Sequence, residues 1–361
     1  MGRRFVFFMT VLAALLARVS VGCADPNHDR PSHRPWYALE EPENIHFPFE
    51  FESIDNTLRA SRFAGPKVDW IYLFVYRSDL HVRYASPWAM ATSITLGNFD
   101  NFASVMDGSI EIGHFEFAWS CAPRTLPNGL RVDASGVTGH TGDANETAPG
   151  MIASGGGLSP LFYDYTDGYL ESEAMVVQRF RRSHETIKLL AVAVSPEQCR
   201  KVDDFVRREL KTSAYDHFSI LADPAKFEGG VCWTTAKAAT EHVPLLKSFF
   251  ESYQFQIDIP RKFMGRPHRL ADIAKLPSGF EEGNFPSLDF QGFYRQTGDW
   301  RTTLPNEPTY RYRNFDFAGF QRDVDGRFQD CQKAWCRDRP TIARTISAGG
   351  LEVETVLLNA L

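Results

Sequence analysis

Three stretches of the chain carry the hydrophobic pattern of β-strands. Residues 69–76 are dense in aromatic and β-branched side chains, which favour a pleated, buried surface. Residues 173–180 and 187–194 are predicted to be two further strands, separated by a basic turn. The spacing of these runs predicts a sheet built largely from antiparallel neighbours.

A fourth strand is predicted from the alternation of polar and apolar side chains in residues 109–119. This alternation places His114 and Glu116 on one face of the strand, while the phenylalanines between and beyond them lie on the other. The Asn-Gly pair at 128–129 is typical of a tight turn, so residues 130–133 are expected to return as the partner strand.

Two helix starts are visible in the second half of the chain. Ser195 can cap a helix, and Gln198 completes a capping box with it. A second helix is predicted to begin at or near Cys232, because two glycines precede this residue and helix-favouring residues follow it. These helices are expected to pack on the sheet, which makes the fold class α+β.

Four segments of different character divide the chain. Residues 1–24 are predicted to be an export signal, and residues 25–64, rich in Pro, His and charge, an extended N-terminal arm. Residues 65–253 hold the periodic elements and are the predicted catalytic domain. Residues 254–361 show weak periodicity and are predicted to be an irregular C-terminal extension that packs on the core.

The signal is predicted from Arg3 and Arg4, followed by an apolar run at 5–17 that is too short to cross a bilayer. Cleavage near Ala24 would release a periplasmic or secreted protein, whereas cleavage before Cys23 would give a lipoprotein. No later apolar stretch is long enough for a transmembrane helix. The net charge of −6 and the pI of about 6.0 argue against nucleic acid as a partner.

Cysteine usage points to one free thiol. The chain has six cysteines: Cys23, Cys121, Cys199, Cys232, Cys331 and Cys336. If Cys23 is removed or lipidated, an odd number remains in an oxidising compartment, so at least one stays unpaired. The last two can close a local loop, and Cys121 and Cys199 can pair or stay buried, which leaves Cys232.

The position of Cys232 favours nucleophilic chemistry. At a helix N-terminus the first N–H groups have no intrahelical partner, and the positive end of the helix dipole favours an anion. The thiolate is the nucleophilic form of cysteine. Cys232 is therefore the candidate nucleophile.

The order of elements resembles the circularly permuted branch of the papain-like cysteine hydrolases, which includes NlpC-like and lecithin:retinol acyltransferase-like proteins. In that branch a Gly-His strand precedes the cysteine helix. The matching residues are Ile112-Gly113-His114 with its following phenylalanines, the strand-to-helix step at 190–198, Tyr215, and Gly230-Val231-Cys232-Trp-Thr-Thr. Val231 stands where many relatives have Asn.

The resemblance implies that Cys232 attacks an acyl carbonyl with His114 as its base, oriented by a third polar residue. Glu116 is the first choice for that residue and Asp133 the alternative, while His217 is a rival base. The implied substrates of an exported member are a cell-wall (peptidoglycan) peptide or a lipid or peptide amide. A non-catalytic ligand-binding module and a thiol acyltransferase remain alternatives.

No cofactor or metal is expected. Histidines and acidic residues occur in the 28–46 arm and at His140 and Asp143, but without the spacing of known zinc sites. The chain also has no Gly-rich phosphate loop and no Gly-x-Ser-x-Gly elbow.

Overall fold

The structure is a computed structural model that describes part of the chain. The described residues are 49–60, 68–76, 81–82, 86–96, 110–111, 113–125, 129, 131–142, 151–152, 155–166, 168–183, 187–266, 274–275, 285, 287–288, 308–326, 333, 335, 342–348 and 351–359. The predicted export signal, Cys23, Cys331 and Cys336 lie outside them.

Helices and strands alternate irregularly along the chain. The α-helices of the described residues are α1 (Phe49–Ala60), α2 (Pro87–Leu96), α3 (Glu173–Ser183), α4 (Pro196–Thr212), α5 (Cys232–Thr240), α6 (Pro244–Tyr253) and α7 (Phe317–Asp325). The strands are β1 (Asp69–Tyr76), β2 (His81–Val82), β3 (Ile110–Glu111), β4 (His114–Thr125), β5 (Arg131–Thr138), β6 (His140–Thr141), β7 (Asp164–Tyr165), β8 (Tyr169–Leu170), β9 (Ile187–Val194), β10 (Gln254–Pro260), β11 (Ala274–Lys275), β12 (Thr309–Phe315), β13 (Ile342–Ala348) and β14 (Leu351–Asn359).

A six-stranded sheet in the order β13-β14-β9-β1-β4-β5 forms the centre of the fold. Its neighbours are antiparallel except β14 and β9, which run parallel. β1 is buried along its whole length because it lies between β9 and β4 with both faces covered. The predicted α+β class with a mostly antiparallel sheet packed against helices is thus confirmed.

One face of the sheet packs against α1 and α3. Phe51 of α1 contacts both Phe74 of β1 and Phe180 of α3, with ring centroids 4.5 and 5.0 Å apart. The even-numbered residues of β1 point to this side, and the register pairs Tyr76 with His114. His114 and Glu116 therefore share this face, as the alternation predicted.

The opposite face packs against α4 and α6. Trp119 of β4 donates a hydrogen bond of 3.1 Å from its indole to the buried carboxylate of Asp203 on α4. A disulfide joins Cys121 of β4 to Cys199 of α4. Phe115 of β4 meets Phe250 of α6 at 5.5 Å. Cys121 and Cys199, which the cysteine count allowed either to pair or to stay buried, therefore form a disulfide.

Two predicted segments have a different secondary structure. The arm predicted to be extended contains α1, whose Phe51, Ile54 and Leu58 are buried at helical spacing. Residues 173–180 form α3 rather than a strand, because Val176 and Phe180, four residues apart, face the core together. The short run of residues 173–180 also fits the alternation of a strand, so the sequence alone did not reveal the helical spacing.

The prediction of an irregular C-terminal extension is wrong for the described residues. β12 pairs with β10, α7 follows it, and β14 joins the central sheet beside β9. The weak periodicity arises because Phe315 and its aromatic neighbours are buried through ring contacts on several sides rather than on one repeating face. Among the described residues, no helix is long and apolar enough to span a bilayer.

We expect the double variant Cys121→Ser/Cys199→Ser to lose about 2–4 kcal/mol of unfolding free energy, because the disulfide closes a long loop. The two cysteines are 78 residues apart in sequence. Urea denaturation of the oxidised wild type and the double variant measures the loss. A difference below about 0.5 kcal/mol would contradict the disulfide's stabilising role.

Candidate active site

Cys232 is the first residue of α5, with Val231 in an extended conformation at the N-cap position. Its side chain is free, the one unpaired cysteine of the described residues, and the residue is 9% exposed. The predicted helix start is therefore confirmed. The amide of Cys232 lies in the first turn, where the helix supplies no carbonyl partner.

The two glycines before Cys232 are required for different reasons. Gly229 has φ of +108°, a conformation that residues with a side chain rarely adopt. A Cβ on Gly230 would lie 2.6 Å from Pro224 and 2.7 Å from the hydroxyl of Thr235. The backbone at Gly229 and Gly230 thus lies close to the first turn of α5, and this close packing fixes the position of the Cys232 thiol.

Val231 cannot cap the helix with its own side chain, and Thr234 takes over part of that role. The hydroxyl of Thr234 accepts a hydrogen bond of 2.8 Å from the Val231 amide and lies 3.1 Å from the Val231 carbonyl oxygen, to which it donates. This is the backward half of a capping box. The first turn is therefore held even though the residue before the cysteine is apolar.

His114 begins β4, and its imidazole lies close enough to Cys232 for the thiol to raise the pKa of the ring. Its Nε2 lies 2.9 Å from Oε2 of Glu171, which leaves Nδ1 as the ring nitrogen available to the thiol. The preceding Gly113 is needed because a Cβ there would lie 2.3 Å from the ring of Phe317. The C-terminal part of the chain thus packs directly against the start of this strand.

Glu171 is the acidic partner of His114 and is fully buried. Its other oxygen contacts the guanidinium of Arg179 on α3. Arg179 also reaches Glu116, with Nε 3.0 Å from Oε1, although the pair is not aligned as a hydrogen bond. The hydroxyl of Tyr76 donates to the remaining oxygen of Glu116.

Glu116 is therefore not the residue that contacts the imidazole. It lies on the predicted face of β4, but its carboxylate binds Tyr76 and Arg179. The alternative, Asp133, lies on β5, and its side chain is outside the described residues. Sequence alone offered no motif for Glu171, because it follows β8 in a turn-rich region far from His114 along the chain.

The surroundings of Glu171 and Glu116 shift the pKa values of the two carboxyl groups in opposite directions. Burial tends to raise the pKa of Glu171, but the charge and hydrogen bond of His114 and the charge of Arg179 hold that pKa well below its usual range. Burial, and then the charge of Glu171, raises the pKa of Glu116 well above its usual range. A negative charge is therefore more favourable on Glu171 than on Glu116.

His114 is correspondingly cationic. Burial alone would lower the pKa of its imidazole, but the charge of Glu171 and the hydrogen bonds with Cys232 and Glu171 raise it to about 9. At neutral pH the ring therefore carries a proton that it can share with the thiol or donate to a leaving group.

Two further histidines lie near the site in different roles. His140 is buried, accepts a hydrogen bond from Thr235 at Nδ1 and donates from Nε2 to the carbonyl of Tyr215, each at 2.9 Å. Burial lowers its pKa to about 4, so the ring is neutral and ties β6 to α5. His217, the rival base, pairs with Asp164 at 2.9 Å and is half-buried.

His114, Glu116 and Glu171 place their ligand atoms within 4.8 Å of one another, which is close enough for a metal ion. Arg179 contacts both carboxyl groups, and a guanidinium in that position opposes a second cation. The second such group among the described residues includes Cys121 and Cys199, whose sulfurs are joined in the disulfide. Neither donor set fits a resident metal.

Comparisons of the chain with protein-family models, with curated proteins and with solved structures found no match.

We expect Arg179→Met to destabilise the fold by about 2–3 kcal/mol at pH 8, because two buried carboxyl groups lose their shared cation. The loss should shrink near pH 3, because Arg179 helps to hold the pKa of Glu171 at about 2 and its removal lets this carboxyl group take up a proton at a higher pH. Urea denaturation at both pH values tests this. An equal loss at the two pH values would indicate that the side chain contributes packing rather than charge.

Proposed function

We propose that the protein is a thiol hydrolase that cleaves amide or ester bonds through Cys232, His114 and Glu171. The observation that carries this proposal is the grouping of a free thiol at the start of α5, the imidazole of His114 beside it, and a buried carboxylate that contacts the imidazole. This is the arrangement in which a nucleophile is paired with a base and the base is oriented by a third group.

In the first step, the sulfur of Cys232 attacks the substrate carbonyl carbon, and the carbonyl π electrons move to the oxygen. In this mechanism Cys232 reacts as the thiolate, with the proton held on the imidazole of His114. The backbone N–H of Cys232, which has no intrahelical partner, is positioned to donate to the developing oxyanion.

In the second step, the bond between the carbonyl carbon and the leaving nitrogen or oxygen breaks, and His114 donates its proton to the departing atom. The enzyme is left as a thioester on Cys232. A water molecule then attacks this thioester while neutral His114 accepts its proton. The thioester C–S bond breaks, and the acid product and the starting Cys–His pair are regenerated.

Glu171 serves as a positioning residue throughout these steps. Its contact with Nε2 of His114 selects the ring orientation that leaves Nδ1 for the sulfur. Arg179 fixes the second oxygen of this carboxylate, so the carboxylate cannot rotate freely.

The proposal includes membership in the permuted papain-like branch, which the order of the elements supports. The strand that begins at His114, directly after Gly113, precedes the helix that begins with Cys232. Further strands of the central sheet lie between these two elements along the chain. The disulfide between Cys121 and Cys199 is compatible with export. We therefore propose an exported enzyme whose substrates include a peptide, peptidoglycan or lipid amide.

We expect Cys232→Ser to reduce the hydrolysis of an activated ester such as p-nitrophenyl acetate by at least about 10³-fold, and His114→Ala by about 10²-fold or more. Cys232→Ser changes a single atom, so its unfolding midpoint in urea should shift little, whereas His114→Ala leaves Glu171 with Arg179 as its cation and should lower the midpoint. Initial rates and denaturation curves measured on the same preparations check both statements.

The matched control for this experiment is His217→Ala, which removes a histidine that is also paired with a carboxylate. Its hydrolysis rate should stay within about twofold of the wild type. If His217→Ala abolishes turnover while His114→Ala does not, the base is His217 and the proposed triad is wrong. If Cys232→Ser retains the wild-type rate, no thiol catalysis takes place.

The rate of hydrolysis should depend on pH through the proton on His114. The rate kcat/KM should fall as pH rises through about 9, because His114 then loses the proton that it donates to the leaving group. Glu171→Gln removes the anion that favours the imidazolium, so this alkaline decline should move to lower pH. Complete pH–rate profiles for both proteins measure the shift.

Glu116→Gln is the matched control, because it makes the same chemical change on the carboxyl group whose pKa is raised rather than lowered. Its alkaline decline should stay near the wild-type position. Equal shifts in the two variants would show that Glu116 also carries charge and that the assignment of roles within the cluster is wrong.

A further inference from the structure

One face of α5 carries both the candidate nucleophile and a second buried polar side chain. Cys232 and Thr235 are three residues apart, so they lie on the same side of the helix, about 4.5 Å apart along its axis. Thr235 is buried, and a buried hydroxyl is stable only with a hydrogen-bond partner inside the protein. The group that holds this hydroxyl therefore also holds the helical turn that begins with the thiol.

The partner of the Thr235 hydroxyl is the imidazole of His140. Oγ1 of Thr235 lies 2.9 Å from Nδ1, and the carbonyl oxygen of Tyr215 lies 2.9 Å from Nε2. The ring is neutral, because burial lowers its pKa to about 4. Since a carbonyl oxygen only accepts, Nε2 carries the ring proton, and Nδ1 accepts the proton of the hydroxyl. Both ring nitrogens are thus used, each in a single role.

The second contact of His140 reaches the segment that leads to the glycines before Cys232. Nε2 donates to the carbonyl of Tyr215, and the carbonyl of His217, two residues later, accepts a hydrogen bond of 3.0 Å from the amide of Gly230. The imidazole therefore holds the chain on both sides of the thiol: the glycine segment before it and the first helical turn after it.

The backbone beside His140 holds the carboxylate of the candidate site. β6 pairs with β8 so that His140 lies opposite Leu170, and Glu171 follows directly. The amide of Glu171 donates to the carbonyl of Gly139 at 2.8 Å, and the hydroxyl of Thr138 donates to the carbonyl of Glu171 at 2.9 Å. A Cβ on Gly139 would lie 2.8 Å from Oε2 of Glu171, so the glycine lets this backbone approach the carboxylate.

Residues 138–140 therefore link the two halves of the candidate site. On one side their backbone fixes Glu171, which contacts Nε2 of the His114 imidazole. On the other side, the imidazole of His140 fixes the turn that begins with Cys232. The separation of the sulfur from the imidazole of His114 thus depends on a short segment that contains neither residue.

We propose that His140 is a positioning residue of this site, which sets the distance between the Cys232 sulfur and the His114 imidazole through its hydrogen bond with Thr235. The inference rests on the proposed function for its catalytic meaning. A displacement of about 1 Å between reacting groups can cost about 10²-fold in rate, so one buried hydrogen bond is enough to change turnover. His140 acts through α5 and exchanges no proton with the substrate.

Thr235→Val tests this role, because valine has nearly the shape of threonine but no hydroxyl to donate to His140. With p-nitrophenyl acetate, kcat should fall about tenfold or more while KM stays within about twofold, since the thiol moves and the substrate contacts do not. The alkaline decline of kcat/KM should move to lower pH, because the nearby thiol helps to raise the pKa of His114. Thr235→Ser keeps the hydroxyl and should restore both values.

Thr240→Val is the matched control, because it removes another buried hydroxyl from the same helix. The Thr240 hydroxyl donates to the carbonyl of Ala236 at 2.8 Å, within α5 itself. Its kcat and pH profile should stay near those of the wild type even if its unfolding midpoint in urea falls. Equal losses of kcat in Thr235→Val and Thr240→Val, or wild-type kinetics in Thr235→Val, would overturn the proposal.

Thr235→Ala keeps the proposal testable if Thr235→Val does not fold. This variant removes the same hydroxyl and leaves space in which a water molecule can donate to Nδ1 of His140. We expect the same loss of kcat and the same shift of the alkaline decline, because a water molecule satisfies the ring without holding the helix. Wild-type kinetics in the folded Thr235→Ala protein would contradict the positioning role.

Alkylation of Cys232 by iodoacetamide separates this inference from the proposed function, because it requires no turnover. Mass spectrometry of the peptide that contains Cys232 gives the rate, and the ratio of the rates at pH 7 and pH 10 corrects for a change in exposure. This ratio should fall about fivefold or more in Thr235→Val, but not in Thr235→Ser or Thr240→Val, because the imidazole that takes up the thiol proton lies farther away.

The two proposals can therefore fail separately. If Cys232→Ser hydrolyses the ester as fast as the wild type, the proposed function fails, and the alkylation ratios alone judge whether His140 positions the thiol. A lower ratio in Thr235→Val alone would then still support the positioning role. Equal alkylation ratios in the wild type, Thr235→Val, Thr235→Ser and Thr240→Val would overturn it.

Discussion

The contact between Glu171 and His114 is the interaction on which the candidate site depends. A carboxylate with no exposure to water is tolerated only when charges and hydrogen-bond donors surround it. His114 supplies one such partner and Arg179 the other. The same contact raises the pKa of the imidazole, which lies beside the thiol of Cys232. The fold thus compensates one buried charge, and the result is an oriented acid–base group beside a thiol.

The scaffold that holds this contact is built from segments far apart in the chain. The sheet supplies His114, α3 supplies Arg179, and the turn after β8 supplies Glu171. The C-terminal part closes over them, because Phe317 lies against Gly113, where no side chain would fit. The described C-terminal elements are therefore part of the core.

Sequence reasoning succeeded where the signal was local. The thiol at a helix start follows from two glycines and the residues after Cys232, and the strand position of His114 follows from simple alternation. It failed where tertiary packing decided between the two-residue repeat of a strand and the 3.6-residue repeat of a helix. The residues of α3 were compatible with both repeats. It also failed for Glu171, since no spacing rule connects a turn residue with a histidine on another strand.

The sequence by itself therefore determined the chemical types and their local geometry: a free cysteine, a helix dipole and a strand histidine preceded by glycine. Only the tertiary structure decided which groups meet. Glu116 is closer to His114 along the chain, yet Glu171 contacts the imidazole, because the chain after β8 passes close to β5 and Gly139 leaves room for its carboxylate. Partner choice in a buried cluster is set by this close packing of distant segments, which local patterns do not encode.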